Sequence, residues 1–330
     1  MENSIWVGLA GVIAAGAPIV IAAVGETLTE KSGMLNLSVN GIILISAMVG
    51  FAAAYKSESL LVGYLAGMAI GALIGALLAF CTIALEQSQV AVGLVLAFLC
   101  KDLSYFLGND FMGVNAPVIH SAPIPYLSEI PIIGRVFFNH TVVTYMSFII
   151  LIAAVIWLNR TRFGLILRSV GERPEAAYGR GIPVNKVRTI YIIMGSALVG
   201  LAGPIYSLGL KPGWKGSLTG LDGIGWIVLA ITIFGGWNPV KVALGAYLFE
   251  LLRWLGLIFQ TSLPGIPSQV LQVAPFPLMI LTLLLVNIRN AEWFDTMRRT
   301  LPPPFSHLFN NKRRNRSAAP SSLGIPFKSG

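Results

Sequence analysis

Apolar residues run through this chain in blocks of about twenty, the length an α-helix needs to cross a hydrocarbon core of about 30 Å. The blocks fall at 5–24, 37–55, 60–85, 89–107, 140–158, 189–209, 224–236, 240–260 and 270–287. Of the 330 residues 55% are hydrophobic and 11% charged, against about 25% charged in an ordinary globular domain, and the mean hydropathy is +0.76. A soluble domain is excluded. A transmembrane β-barrel would alternate apolar and polar residues over short segments, and these runs are continuous. The sequence predicts an all-α protein, a polytopic transmembrane helical bundle of about nine or ten spans. One of those spans is broken or half-length: 224–236 is short and ends in Gly235-Gly236-Trp237-Asn238-Pro239, a strong helix break.

The net charge of +9 does not indicate nucleic acid, because seven of the 23 Lys and Arg residues lie in 159–188 and eight in 288–330. Basic clusters flanking apolar spans mark cytoplasmic segments, and they attract anionic membrane lipid. Residues 1–287 are therefore read as the transmembrane domain, with an external linker at 108–139 and a cytoplasmic loop at 159–188. Residues 288–330 are read as a basic cytoplasmic tail, largely disordered for its Pro302-Pro303-Pro304, Lys312-Arg313-Arg314 and Ser/Pro-rich stretches. If loop and tail share one side, an even number of crossings separates them. Four spans lie between and five precede residue 159, so the N-terminus falls outside in a nine-crossing chain. The first block lacks a basic leader and reads as a retained helix, not a cleaved signal. Cys81 and Cys100 sit inside apolar runs and read as buried small residues, not as a disulfide.

The basic loop contains the run Arg168 to Pro183. Pro174 suits a first helical position, Glu175 complements the positive end of the dipole, and Gly179 and Gly181 stop the helix. A helix of one or two turns between two crossings is predicted, and one so short must be held by packing.

At this segment the chain resembles a known family. The pattern Glu175-Ala176-Ala177, then Gly179 to Gly181-Ile182-Pro183, is similar to the loop by which permeases of ATP-binding-cassette importers dock onto their ATPase. Gly25 to Gly41, Gly200-Leu201-Ala202-Gly203 and Phe234 to Pro239 resemble signatures of the nucleoside and simple-sugar branch, within the broad family of ribose and branched-chain amino acid permeases. Asn40 stands where that pattern usually has Glu. The resemblance implies a permease subunit in a bacterial-type plasma membrane, passing nucleosides, with simple sugars as the alternative. It implies an ATPase partner, a second related permease and an extracytoplasmic binding protein. It assigns contact with the ATPase to Glu172, Pro174, Glu175, Ala176, Ala177, Gly179 and Gly181. ATP and Mg would belong to the partner. The segment Gly25 to Ser32 superficially resembles a phosphate-binding loop, but Glu30 takes the place of its second glycine, and its charge would repel phosphate. No cofactor is assigned to this chain.

Polar residues at membrane depth are costly and so direct attention to function. Asn36, Ser38 and Asn40 alternate with apolar neighbours beside Gly33 and Gly41, and Gln87 and Gln89 open the fourth span. Their amides suit the hydroxyls and base edges of a polar solute. Equally, they can hydrogen-bond one helix to another. Glu26 and Glu30, four apart, either shape a gate or form a solvated loop pair, and the segment 25–40 is either a loop or a break at membrane depth. Glu250 and Arg253 fall mid-span at a spacing that lets them pair, while Lys101 and Asp102 lie close enough to a membrane end to snorkel. Gly63, Gly67, Gly71 and Gly75 form a small-residue stripe suited to close helix packing. The scattered His120, His140 and His307 make no metal set. A self-sufficient secondary transporter would need coupling carboxylates at the midplane and inverted repeats; only Glu250 is placed so, beside its own cation.

Overall fold

The computed structural model describes residues 2–131, 133–262, 277, 281 and 319–327. In chain order the helices are α1 (Glu2–Lys31), α2 (Val39–Ser57), α3 (Leu60–Ala79), α4 (Gln89–Leu107), α5 (Ile133–Phe137), α6 (Val142–Arg160), α7 (Arg162–Glu172), α8 (Pro174–Tyr178), α9 (Val184–Ile205), α10 (Ile224–Phe234) and α11 (Pro239–Ser262). Single π-helical turns, Phe80–Ala84 and Tyr206–Leu210, extend α3 and α9. Among the described residues seven helices are long and apolar enough to cross a membrane, and there is no strand, only two isolated bridges. Apart from Pro277 and Leu281, the expected span at 270–287 lies outside the described residues.

The centre of the bundle is α1, α2, α3 and α9, with α3 and α9 sharing the most extensive contact. The glycine stripe explains why. A Cβ on Gly71 would sit 2.7 Å from the Cα of Gly200, one on Gly67 2.8 Å from the Gly200 carbonyl, and one on Gly75 2.9 Å from the Ile192 carbonyl. Backbones meet there with nothing between them, so the stripe is an internal seam of this chain. Outward faces of α3, α4 and α6 carry exposed Leu61, Leu65, Leu73, Val95, Phe98, Ile149 and Ile152, the apolar surface a bilayer solvates.

The helices alternate in direction. Taking the end that holds 161–183 as the basic end, α9 leaves it and, with its π-turn, runs 27 residues, about 40 Å at 1.5 Å per residue. Gly25 packs on Gly195, Gly16 on Tyr247 and Gly8 on Trp254, so α1 descends toward the basic end while α9 and α11 ascend from it. After α9 the segment 211–223 folds back into the bundle, and α10 completes the descent with 11 residues, about 16 Å. The expected half-length span is thus a loop plus a short helix. Of the segment 25–40, expected as a loop or a break, α1 takes the part through Lys31 and only 32–38 is unwound.

Nine residues of the tail are seen against the bundle. Residues 288–318 lie outside the described residues, but 319–327 are packed at the basic end, with Pro320 and Ser322 buried. The Ser/Pro-rich composition that suggests disorder here serves backbone hydrogen bonding instead.

Candidate functional site

Two polar regions stand out, one at the basic end and one where the unwound segment meets α10. Within 161–183, Thr161 caps α7 by accepting from the Gly164 amide at 3.1 Å. Buried Gly164, Leu167, Val170 and Gly171 set its inner face. The predicted short helix is α8, with Pro174 at its start. Gly179 donates to the Glu175 carbonyl at 2.9 Å, and Ile182 to that of Ala177 at 3.1 Å. Gly181 closes the turn at φ 82°, a conformation natural to glycine. Pro174 and Ala177 face inward, whereas Glu172, Glu175, Ala176, Tyr178, Gly179 and Gly181 are exposed. The turn thus presents Glu172, Glu175 and Tyr178, with Arg173 and Arg180, on its outer side.

The second region gathers around the break. Asn36 donates to Glu26 Oε2 at 3.2 Å and to Ser196 Oγ at 3.4 Å, while its own oxygen accepts from the Ser38 amide at 3.1 Å and from the Ser38 hydroxyl. Trp237 Nε1 donates to Glu30 Oε2. Glu26 and Glu30 are fully buried in the last turns of α1, which overturns the reading of a solvated loop pair. The physical reason is that α1 runs a full turn and more past the apolar block, and α9 and the 235–238 turn enclose it. One oxygen of each carboxylate has no hydrogen-bond partner among the described residues.

Asn40 binds across the bundle. Its amide donates to Asp222 Oδ1 at 2.8 Å, and its oxygen accepts from the Gly223 and Gly225 amides at 3.0 and 3.1 Å. It therefore caps α10 from another helix, satisfying donors that a helix start leaves open. Asp222 also pairs with Lys101 at 2.5 Å. Lys101 is thus held by a partner that the sequence did not indicate, because 211–223 folds back to bring a carboxylate to it. Gln89 accepts from the Leu35 amide at 2.8 Å, bracing the break. Gln87 instead lies exposed in the turn before α4, donating to the Leu85 carbonyl at 2.7 Å. The structure thus brings Asn36, Ser38, Glu26 and Glu30 together, sets Asn40 with Asp222, and leaves Gln87 apart.

Glu250 and Arg253 pair at 3.1 Å within α11, the carboxylate buried and the guanidinium partly exposed. Nearby, toward the end opposite the basic loop, a cavity of about 280 Å³ is lined by Tyr206, Ser207, Lys211 and Thr219 among others. That is near the low end of small-molecule pockets, roughly 300–1,000 Å³. The Tyr206 hydroxyl is buried without a hydrogen-bond partner among the described residues.

Sequence reasoning missed Arg188, Asp222, Ser196, Tyr206 and the role of Trp237. Arg188 is legible afterwards as a cation one turn inside an apolar helix, and Asp222 as a carboxylate among glycines beside a half-span. Ser196 and Tyr206 carry no signal in sequence alone.

Seven helices long and apolar enough to span a membrane, with a half-length helix beside an unwound polar segment, define a polytopic membrane protein. Residues 8–287 match the family described as branched-chain amino acid transport system / permease component, and the chain belongs to that family. It is 34% identical to a putative glucose ABC transporter permease protein of Haloferax volcanii, over 76% of each chain. To a nucleoside ABC transporter permease protein of Lactococcus lactis subsp. cremoris it is 32% identical, over 86% of this chain and 93% of the relative. A guanosine ABC transporter permease protein of Bacillus subtilis is also 32% identical, over 81% and 88%. No solved structure matches the chain.

Proposed function

We propose that this chain is a permease subunit of an ATP-binding-cassette importer that carries nucleosides across the bacterial plasma membrane. The observation that carries the reading is the match to the nucleoside permease, which extends over 93% of that relative. A simple sugar is the second reading, favoured by the 34% identity to the putative glucose permease. In this assignment the basic end is cytoplasmic, since 161–183 holds Arg162, Arg168, Arg173 and Arg180, and the C-terminal segment 319–327 lies on that side.

The partners are an ATPase subunit, a second permease related to this one and an extracytoplasmic binding protein. ATP and Mg reside on the ATPase. In support, the stretch from Gly25 to Ser32 is almost wholly buried at the end of α1, where no nucleotide could reach it. Solute delivered from outside meets the cavity beside Tyr206 and Thr219 and moves toward the unwound segment at Asn36. ATP-driven closure of the ATPase pair pushes α8, and the attached ends of α7 and α9 shift with it. The Asn36–Glu26 and Asn40–Asp222 bonds then separate and re-form, which biases the bundle between outward- and inward-facing states.

The test is uptake of radiolabelled guanosine by cells carrying the chain or Glu175→Lys, with unlabelled guanosine and glucose as competitors, beside affinity purification of each form. An ATPase should co-purify with the native chain. Glu175→Lys should lower uptake by about tenfold or more, the scale of a lost coupling energy of 1–3 kcal/mol, with the folded chain still in the membrane. Competition by glucose alone would move the assignment to sugars. Uptake that ignores ATP depletion, with no ATPase recovered, would overturn the importer reading.

A further inference from the structure

At the basic end a single side chain ties together the elements that must move when α8 is displaced. Arg188, on the first turns of α9, is 1% exposed. Its Nε donates to the Ser32 carbonyl at 3.2 Å, Nη1 to the Ile325 carbonyl at 2.9 Å and Nη2 to Ser322 Oγ at 3.0 Å. Ser322 passes the connection on, its hydroxyl donating to the Gly171 carbonyl at 2.7 Å and its amide to the same carbonyl at 2.9 Å. Gly324 donates to the Gly33 carbonyl at 3.0 Å. Gly33 has φ 88°, and a Cβ there would lie 2.6 Å from Ser322 Oγ, so the unwound segment and the tail approach as closely as backbone allows. The same nine residues reach the α7–α8 corner. Ser321 Oγ donates to Glu172 Oε2 at 3.0 Å, and the Phe327 ring lies 5.5 Å from that of Tyr178, beside Val170, Ala177 and Val184.

We propose that residues 319–327 are a strap, and Arg188 the positioning residue that seats it, carrying displacement of α8 into the unwound segment that holds Asn36. The inference rests on the reading of α8 as the helix that meets the ATPase. Its physical basis is that the strap grips each element at an end. Gly171 closes α7, Gly33 follows α1, and Tyr178 closes α8, so all three move as one body. Without the strap, two of the three guanidinium nitrogens that Arg188 engages lose their protein partners, and Arg188 no longer links α9 to the α7–α8 corner. Lysine cannot replace it, since a point charge does not reproduce a planar fork with donors in three directions.

The experiment uses the assembled transporter in inside-out membrane vesicles, following labelled guanosine and ATP hydrolysis together. A chain ending at Ala318 should still recover the ATPase and hydrolyse ATP, while guanosine moved per ATP falls about tenfold, the scale of one lost charge-assisted bond. A synthetic peptide of residues 319–330 should restore the shortened chain. It should not restore full-length Arg188→Lys, which is expected to show the same loss. A native ratio of solute to ATP in the shortened chain overturns the proposal, because a strap that only stabilised the fold would change protein amount and not the ratio. If the shortened chain does not reach the membrane, Ser322→Ala decides between the same two outcomes. Absence of an ATPase from the native preparation would instead refute the importer reading and remove the proposal with it.

Discussion

Asn40 shows how much one side chain does in this bundle. Its three hydrogen bonds join the start of α2 to Asp222 and to the first amides of α10, and it is 3% exposed. Asn40→Ala removes donor and acceptor together and strands two helix-start amides, that of Gly225 buried and that of Gly223 partly so. Leaving such groups unpaired costs about 1–3 kcal/mol each. The expected result is a clear drop in thermal midpoint of the detergent-purified protein, and an unchanged midpoint would show that water takes over the cap. Asn36 is bonded as thoroughly, between Glu26, Ser196 and Ser38. The sequence identified both asparagines by their cost at membrane depth, but it left pathway-lining and helix-joining roles equal. Only the partners distinguish them. Ser196 is 160 positions from Asn36 and Asp222 is 182 from Asn40, distances along the chain that no local pattern encodes.

Among elements, the seam between α3 and α9 is half written in the sequence. Four glycines at every fourth position make a flat face on a helix, and a flat face is useful only where another backbone lies against it. The partner, with Gly200 and Ser196, was not readable, because small residues occur in most spans. Gly71→Leu places a large side chain where a Cβ already meets the Gly200 Cα at 2.7 Å. Overpacking of this kind costs about 1–3 kcal/mol or more, so the yield of monodisperse protein should fall sharply. Gly11, with nothing within 4 Å of its would-be Cβ, is the control, and Gly11→Leu should leave the yield unchanged. Equal yields from the two variants would contradict the seam. The short helix α8 was legible in full from Pro174, Glu175, Gly179 and Gly181, since its start and stop are set by local backbone chemistry. The π-turn at Tyr206–Leu210 was not, because nothing in its composition departs from an ordinary helix.

At the scale of the whole molecule the helix directions place 211–223 and 319–327 at opposite ends of α9. A cysteine at Lys215, exposed in the first segment, and one at Ser321, exposed in the second, should therefore report opposite sides of the membrane. In a background with Cys81 and Cys100 replaced, Lys215→Cys should react with an impermeant thiol reagent added to intact cells, and Ser321→Cys only after permeabilisation. Reversed labelling would invert the orientation, and labelling of both from outside would separate 319–327 from the basic end. That this chain is a polytopic helical membrane protein, roughly where its spans lie, and which loop carries the short helix are all legible in the amino-acid order. Those features follow from hydropathy, charge asymmetry and local capping, each readable within a window of about twenty residues. The burial of Glu26 and Glu30, the pairing of Lys101 with Asp222, and the packing of 319–327 against Arg188 and the α7–α8 corner emerge only in three dimensions. Each of those outcomes depends on which distant segments come to share one low-dielectric space, where a polar group must find a partner, and the choice of partner is made by packing.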